Sequence, residues 1–248
     1  MKDAALSPPR PIGHALPSLA TDTIALFLDL DGTLLEIAAT PSSVVVPPDL
    51  VTDLAAASVA LGGALAIVSG RALREIDRLL APLHLPAAAE HGAIIRLANG
   101  AHDELDAKVP EAWVTDLQAL QSVHAGVLIE HKAHSVVAHF RNAPRAEEAL
   151  RRAAAACVAR DPEHFEILAG KMIVEIRPIN ARKGRAVSYF MAAAPFHGRT
   201  PVFVGDDVTD EDGFTAAEKL GGVGLHVAES FGGDPHEVRR WLKRLVQR

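Results

Sequence analysis

The sequence predicts an α/β protein in which a parallel sheet flanked by helices is interrupted by a smaller inserted α+β unit. Three observations carry this expectation. Short apolar runs end repeatedly in acid, serine or glycine (LFLDLDG, LAIVSG, VFVGDD), as buried central strands feeding exposed loops do. Helical patterns separate these runs, so parallel strands joined by helical crossovers are the economical arrangement. The rhythm breaks between residues 104 and 177, where hairpin-like strand pairs alternate with helices, and it resumes after Pro178.

The elements follow in order. Ile24 to Leu30 is the first strand. Pro47-Pro48 opens a helix over DLVTDLAAASVALG, closed by glycine. ALAIVSGR repeats the strand signature, RALREIDRLLAP is a second helix, and LPAAAEHGAIIR is a strand with a turn at Gly92. In the insert, PEAWVTDLQALQSV and PRAEEALRRAAAACVARD are helices. Val127 to Ile129 and Ser135 to Phe140 form one strand pair, turning near Lys132-Ala133; Phe165 to Leu168 and Met172 to Ile176 form another, turning at Ala169-Gly170-Lys171. KGRAVSYFMAAAP is then a helix, TPVFVGDD a strand, TDEDGFTAAEKLG a helix, GVGLHVA a strand, and PHEVRRWLKRLVQR a closing helix. The domain expectation is a core from residues 21–103 and 178–248, an insert over 104–177, and a flexible Pro-containing lead-in over 1–20. Inserted domains enter at exposed loops where the insert's ends lie close together.

Composition narrows the function. Of 248 residues, 49% are apolar, which excludes general disorder, and only 4% are aromatic, so packing relies on Ala, Leu, Val and Ile. Lys and Arg number 25 against 31 Asp and Glu, a net charge of −6 that carries no basic nucleic-acid footprint. A single cysteine, Cys157, excludes an intramolecular disulfide and a cysteine-built metal site. No stretch approaches the roughly 20 apolar residues of a membrane span, and the N-terminus has no compact signal core. A cytoplasmic protein, acting as a monomer, with neither nucleic acid nor membrane as partner, is expected.

The acids cluster at strand ends, where open parallel sheets place their chemistry. Asp29 and Asp31 end the first run, Ser69 ends the second, Asp206, Asp207 and Asp210 follow a later one, and Lys183 begins a helix between them. Crowded carboxylates raise one another's pKa, a cost that a hard divalent cation relieves, and an oxygen-only donor set suits Mg²⁺. The cation and Lys183 would attract a phosphate, and the Ser69 hydroxyl would donate to a nonbridging oxygen. Asp29 could then attack phosphorus to form an aspartyl-phosphate, with Asp31 protonating the leaving alcohol and later accepting a proton from water. Taken singly, each feature has a plainer reading: Ser69-Gly70 as a helix cap, Lys183 as a solvated helix start, GDDVTDE as an acidic cap. Their order and shared strand-end placement favour catalysis.

With these motifs the chain resembles the haloacid-dehalogenase-like phosphohydrolase superfamily. The pattern runs Asp29-Leu30-Asp31-Gly32-Thr33, Ser69-Gly70-Arg71, Lys183-Gly184 and Gly205-Asp206-Asp207. More narrowly, VSGR, Glu90-His91-Gly92, GDDVTDEDGF, EHKAHSVVAHFR and KMIVEIRP resemble the trehalose-6-phosphate phosphatase family. The resemblance implies a Rossmann-like core under a C2-type α+β cap, Asp29 as nucleophile, Asp31 as acid/base, and Ser69 and Lys183 on the phosphoryl group. It implies Mg²⁺ held by Asp29, the Asp31 carbonyl and Asp206, supported by Asp207 or Asp210. The substrate it implies is a phosphorylated disaccharide, met by Arg71, Glu90, Glu130, Lys132, His134, His139, Arg141 and Glu175. For His139 an exposed sheet position, and for Glu175 a structural salt bridge, stand beside the sugar-binding role. One departure is Asn180-Ala181-Arg182-Lys183, where the family commonly has asparagine directly before the lysine. Rival readings are a phosphatase of the same cap class for sucrose phosphate or mannosyl-phosphoglycerate, and a non-catalytic phosphosugar-binding module.

Overall fold

The computed structural model describes residues 20–38, 40, 43–170 and 172–247. Apart from its last residue, the expected lead-in over 1–20 lies outside the described residues, as does Lys171 of the second hairpin turn. In chain order the elements are β1 (Ile24–Leu28), α1 (Leu50–Ala60), β2 (Leu65–Val68), α2 (Leu73–Leu80), β3 (Ala87–Ala89), β4 (Ile94–Arg96) and β5 (His102–Glu104). Next come α3 (Glu111–Val123), β6 (Leu128–His131), β7 (Val136–His139), α4 (Glu147–Val158), β8 (Phe165–Gly170) and β9 (Ile173–Pro178). The chain closes with α5 (Lys183–Met191), β10 (Thr200–Gly205), α6 (Glu211–Lys219), β11 (Val223–His226), α7 (Val227–Ser230) and α8 (Pro235–Val246).

The larger sheet has the order β11-β10-β1-β2-β3-β4-β5. Its first five strands are parallel, and β4 and β5 are added antiparallel at one edge. The sheet is therefore mixed at that edge, where the sequence suggested parallel pairing alone. The single strand expected over LPAAAEHGAIIR is two, β3 and β4, folded back on each other around Glu90–Gly92. Alternation sorts side chains to two cores. Leu26, Leu28, Ile67 and Val204 pack with α1, α2 and α8, whereas Phe27, Ala66, Val68 and Phe203 pack with α5 and α6. The Asp234-Pro235 pair starts α8, with the Asp234 carboxylate accepting from the His236 N–H at 2.8 Å.

The second sheet, β6-β7-β9-β8, is antiparallel throughout. Val136, Ala138, Phe140, Val174 and Ile176 turn inward to Trp113 and Leu117 of α3 and Leu150, Ala154 and Cys157 of α4. The alternate positions, including Val137, His139 and Glu175, face a cavity shared with the larger sheet. β8 runs through Gly170, two residues beyond the expected strand, and pairs it with Ile173. Among the described residues, no helix is long and apolar enough to cross a membrane.

Candidate active site

The carboxyl edge of β1, β2 and β10 forms the floor of the site. The Asp29 N–H donates to Val204 O at 3.0 Å, which continues the β1–β10 ladder and sets the carboxylate at the strand's end. The chain then turns back: the Thr33, Leu34 and Leu35 N–H groups all donate to Leu30 O. Gly32 makes this possible at φ +82°, and a Cβ there would collide with the Asp206 carboxylate. Ser69 leaves β2 nearly buried, its Oγ accepting from the Arg71 N–H at 3.2 Å. Lys183, at the start of α5, is buried rather than solvated, and its Nζ donates to Asp29 Oδ1 at 2.8 Å and Asp210 Oδ1 at 2.6 Å.

The loop after β10 is organised by its own acids. Asp210 Oδ2 accepts from the backbone N–H groups of Asp206 and Asp207, each at 3.1 Å, while Asp207 caps the following turn through the Val208 N–H at 2.8 Å. Carboxylate oxygens of Asp29, Asp206 and Asp210 come within 4.8 Å of one another. One ammonium faces three carboxylates. Burial, opposed by Lys183 and helped by Asp210 and Asp206, pushes the Asp29 carboxyl up to about 8. Burial and the charges of Asp210 and Asp207 push Asp206 up to about 6. Burial works against the Lys183 charge, but Asp29 and Asp210 outweigh it and hold its pKa above the ordinary lysine value. An all-oxygen cluster short of positive charge fits a hard divalent cation.

Asp31 projects beside Asp29 and is gripped at both oxygens by Arg71, with Nε at 2.6 Å and Nη2 at 2.7 Å. Above this floor a cavity of about 340 Å³ extends to the second sheet. There Glu175 of β9, almost wholly buried, accepts from Ser135 Oγ at 2.7 Å, and meets Lys132 Nζ and His91 Nε2 at 3.3 Å each. Burial alone would raise the Glu175 pKa; Lys132, His91 and Ser135 instead bring it far below the ordinary range. His139 and Glu130 pair at 3.0 Å across β7 and β6, and the hydrogen bond from His139 lowers the Glu130 pKa.

Most of the sequence-derived site residues converge. Asp29, Asp31, Ser69, Arg71, Lys183, Asp206 and Asp207 line the cavity from below; Glu130, Lys132, His139, Arg141 and Glu175 line it from above. Asp210 lies just behind, holding Lys183 and the Asp206–Asp207 backbone. Glu90 and His134, both expected to meet the sugar, are not on the wall. Glu90 spends both oxygens on the Ala133 and His134 N–H groups, at 3.0 and 2.9 Å, and the fully buried His134 ring is engaged by Ala107 O and Glu104. Arg182 turns to Glu166, which also takes Arg177. His91 does line the cavity, yet no role was drawn for it from the sequence. Its signal was the Glu90-His91-Gly92 turn at a strand end. Ser69 is not a helix cap, since α2 is preceded by Ala72.

A parallel-rich sheet with its chemistry at the carboxyl edge, covered by a smaller antiparallel sheet, is the fold of the haloacid-dehalogenase-like phosphohydrolases. The C-terminal domain of trehalose-6-phosphate phosphatase from Candida albicans shares it, with a TM-score of 0.74 over 91% of this chain and 92% of that one, at 19% identity. The sequence narrows the class. The family model for trehalose-phosphatase matches residues 27–244, and the chain belongs to the trehalose-phosphatase family. It is 43% identical over 215 residues to a probable trehalose-phosphate phosphatase of Sinorhizobium fredii, covering 86% of this chain and 81% of that protein. It is 40% identical over 207 residues to the trehalose-6-phosphate phosphatase of Escherichia coli, covering 82% and 77%. The chain is accordingly a phosphatase.

Proposed function

We propose that the chain hydrolyses trehalose 6-phosphate to trehalose and phosphate, with residues 104–177 as a cap over a catalytic core. The observation that carries this reading is one continuous cavity with a phosphate-handling floor of Asp29, Ser69 and Lys183 and a charged, hydrogen-bonding wall of Glu130, Lys132 and Glu175. A disaccharide presents many hydroxyls to such a wall, and a phosphate at one end suits the floor. Arg71, His139 and Arg141 complete the proposed sugar contacts.

Asp29, Asp206 and the Asp31 carbonyl would hold Mg²⁺, with Asp207 and Asp210 supporting. The ion would supply positive charge to the phosphoryl oxygens and lower the pKa of Asp29, which must be ionised to attack. The Asp29 carboxylate forms a bond to phosphorus as the sugar oxygen leaves, giving an aspartyl-phosphate. Asp31 delivers a proton to that oxygen, which requires one of its oxygens to be released from Arg71. The same carboxylate then takes a proton from water, which attacks phosphorus and frees Asp29 and phosphate. Ser69 and Lys183 hold the nonbridging oxygens throughout, and closure of the cap excludes bulk water.

The enzyme is further proposed to act as a monomer in the cytoplasm; its closing helix has a polar outer face, and gel filtration reads the state directly. Substrate choice is tested with trehalose 6-phosphate, sucrose phosphate, mannosyl-phosphoglycerate and simple hexose phosphates, each with Mg²⁺. Phosphate release from trehalose 6-phosphate should exceed the others; equal release would remove this substrate assignment.

A further inference from the structure

The Glu90–His91 turn grips both halves of the molecule at once. Glu90 and His91 both hold left-handed backbone, φ +48° and +59°, in which non-glycine residues are uncommon and strained. Their backbones bind downward to the loop that carries the phosphate-site residues: the Glu90 N–H donates to Arg71 O and the His91 N–H to Ser69 O, each at 3.0 Å. Their side chains bind upward to the second sheet. The Glu90 carboxylate takes the two N–H groups of the β6–β7 turn at Ala133 and His134, and His91 Nε2 meets Glu175 of β9 at 3.3 Å. The His91 ring sits against Gly70, where a Cβ would fall 2.6 Å from Cε1. Nδ1 of the ring is buried with no hydrogen-bond partner among the described residues, so Nε2 is the atom the arrangement uses. Lys132 makes a parallel tie, with Nζ donating to Gly70 O at 3.1 Å.

We propose that Glu90 and His91 are positioning residues that seat the cap on the Ser69–Arg71 loop, fixing the distance between the sugar wall and the phosphate floor. The strained backbone is what lets two consecutive side chains reach the β6–β7 turn and strand β9 while their N–H groups stay on the loop below. Neither residue is assigned contact with the reacting atoms; Glu90 acts through the Ala133–His134 turn and His91 through Glu175. The inference deepens the proposed function and rests on it for the identity of the sugar.

The test compares Glu90→Ala, Glu90→Gln, His91→Ala and His91→Gln with the unaltered protein. Two measurements are made: kcat and KM with trehalose 6-phosphate and with p-nitrophenyl phosphate, and amide hydrogen exchange at residues 133 and 134 without substrate. The alanine variants should lose kcat/KM with trehalose 6-phosphate about ten-fold more than with the small aryl phosphate, mainly through KM. Exchange at Ala133 and His134 should quicken about ten-fold or more in Glu90→Ala, because that local structure opens more readily. His91→Gln, which can still donate to Glu175, should recover much of what His91→Ala loses. Equal losses on both substrates, or unchanged exchange in Glu90→Ala, would overturn the proposal by reducing the turn to general support of the loop. The exchange arm uses no substrate, so it decides the seating role even if another phosphosugar proves to be the one hydrolysed.

Discussion

The roles proposed for two carboxylates two positions apart differ because their neighbours differ. Asp29 is buried against Lys183, close to Asp206 and Asp210, whereas Asp31 is about one-third exposed and held in the Arg71 fork. Replacing Asp29 with Asn keeps the shape and removes the oxygen proposed as nucleophile, so phosphate release should fall roughly 10³-fold or more. Retention of normal turnover would exclude the covalent route. Asp31→Asn should slow turnover about 10²–10⁴-fold, the usual share of general acid–base catalysis, while substrate still binds. Equilibrium binding of trehalose 6-phosphate to this variant measures that separation; wild-type turnover would remove the acid/base role. The DxD pair, Ser69 and the Asp206 loop were legible because each follows an apolar strand, and Lys183 because it opens a helix between two of those strands, so order along the chain stands in for position in space. Glu90 and His134 misled for the opposite reason. Both lie within two residues of a cavity residue in sequence, but their side chains answer to backbone N–H groups and to Glu104 and Ala107, partners that only the folded pairing of the two sheets supplies.

At the level of elements, strands β1, β2 and β10 were readable because both faces of the apolar runs IALFL, LAIV and PVFVG are buried. β5 was not, since His102, Asp103 and Glu104 have no strand pattern of their own and take their form from pairing with β4. In the second sheet, alternation along β7 separates core from cavity side chains, and β9 carries Glu175 on the cavity side. The folded pKa of Glu175 lies far below its unfolded value of about 4.3, so its ionisation adds stability above that value. The contribution is lost as pH falls through the folded pKa. Glu175→Gln leaves Lys132 buried without its carboxylate and should cost about 3 kcal/mol near pH 7. The same variant should show a shallower loss of stability in acid than the unaltered chain. Thermal melts from pH 3 to 7 test both points, and parallel pH curves for the two proteins would assign the acid sensitivity elsewhere.

For the molecule as a whole, the net charge of −6 gives little guidance until the charges are located. Much of the acidity proposed to act in catalysis is gathered at the carboxyl edge of the larger sheet, where a bound cation would join β1 to the loop after β10 and so tie together segments far apart in sequence. Such an arrangement would link ion binding to global stability and to pH. The carboxyls of Asp29, at about 8, and Asp206, at about 6, have folded pKa values above their ordinary range. Without an ion they add stability that is fully present below the unfolded value of about 3.9 and is lost as pH rises through 6 to 8. Mg²⁺ competes with those protons and should restore the stability they no longer supply. At about 100 times its dissociation constant the ion should stabilise the fold by about 2.7 kcal/mol, or on the order of 5–10 °C in Tm for a chain of this size. The shift should be largest near pH 8 and shrink toward pH 5, where both carboxyls are protonated. Asp206→Asn should abolish most of it at either pH. Melts with and without Mg²⁺ at the two pH values measure the coupling; a shift that is absent, or equal at both, would separate the acidic cluster from metal binding.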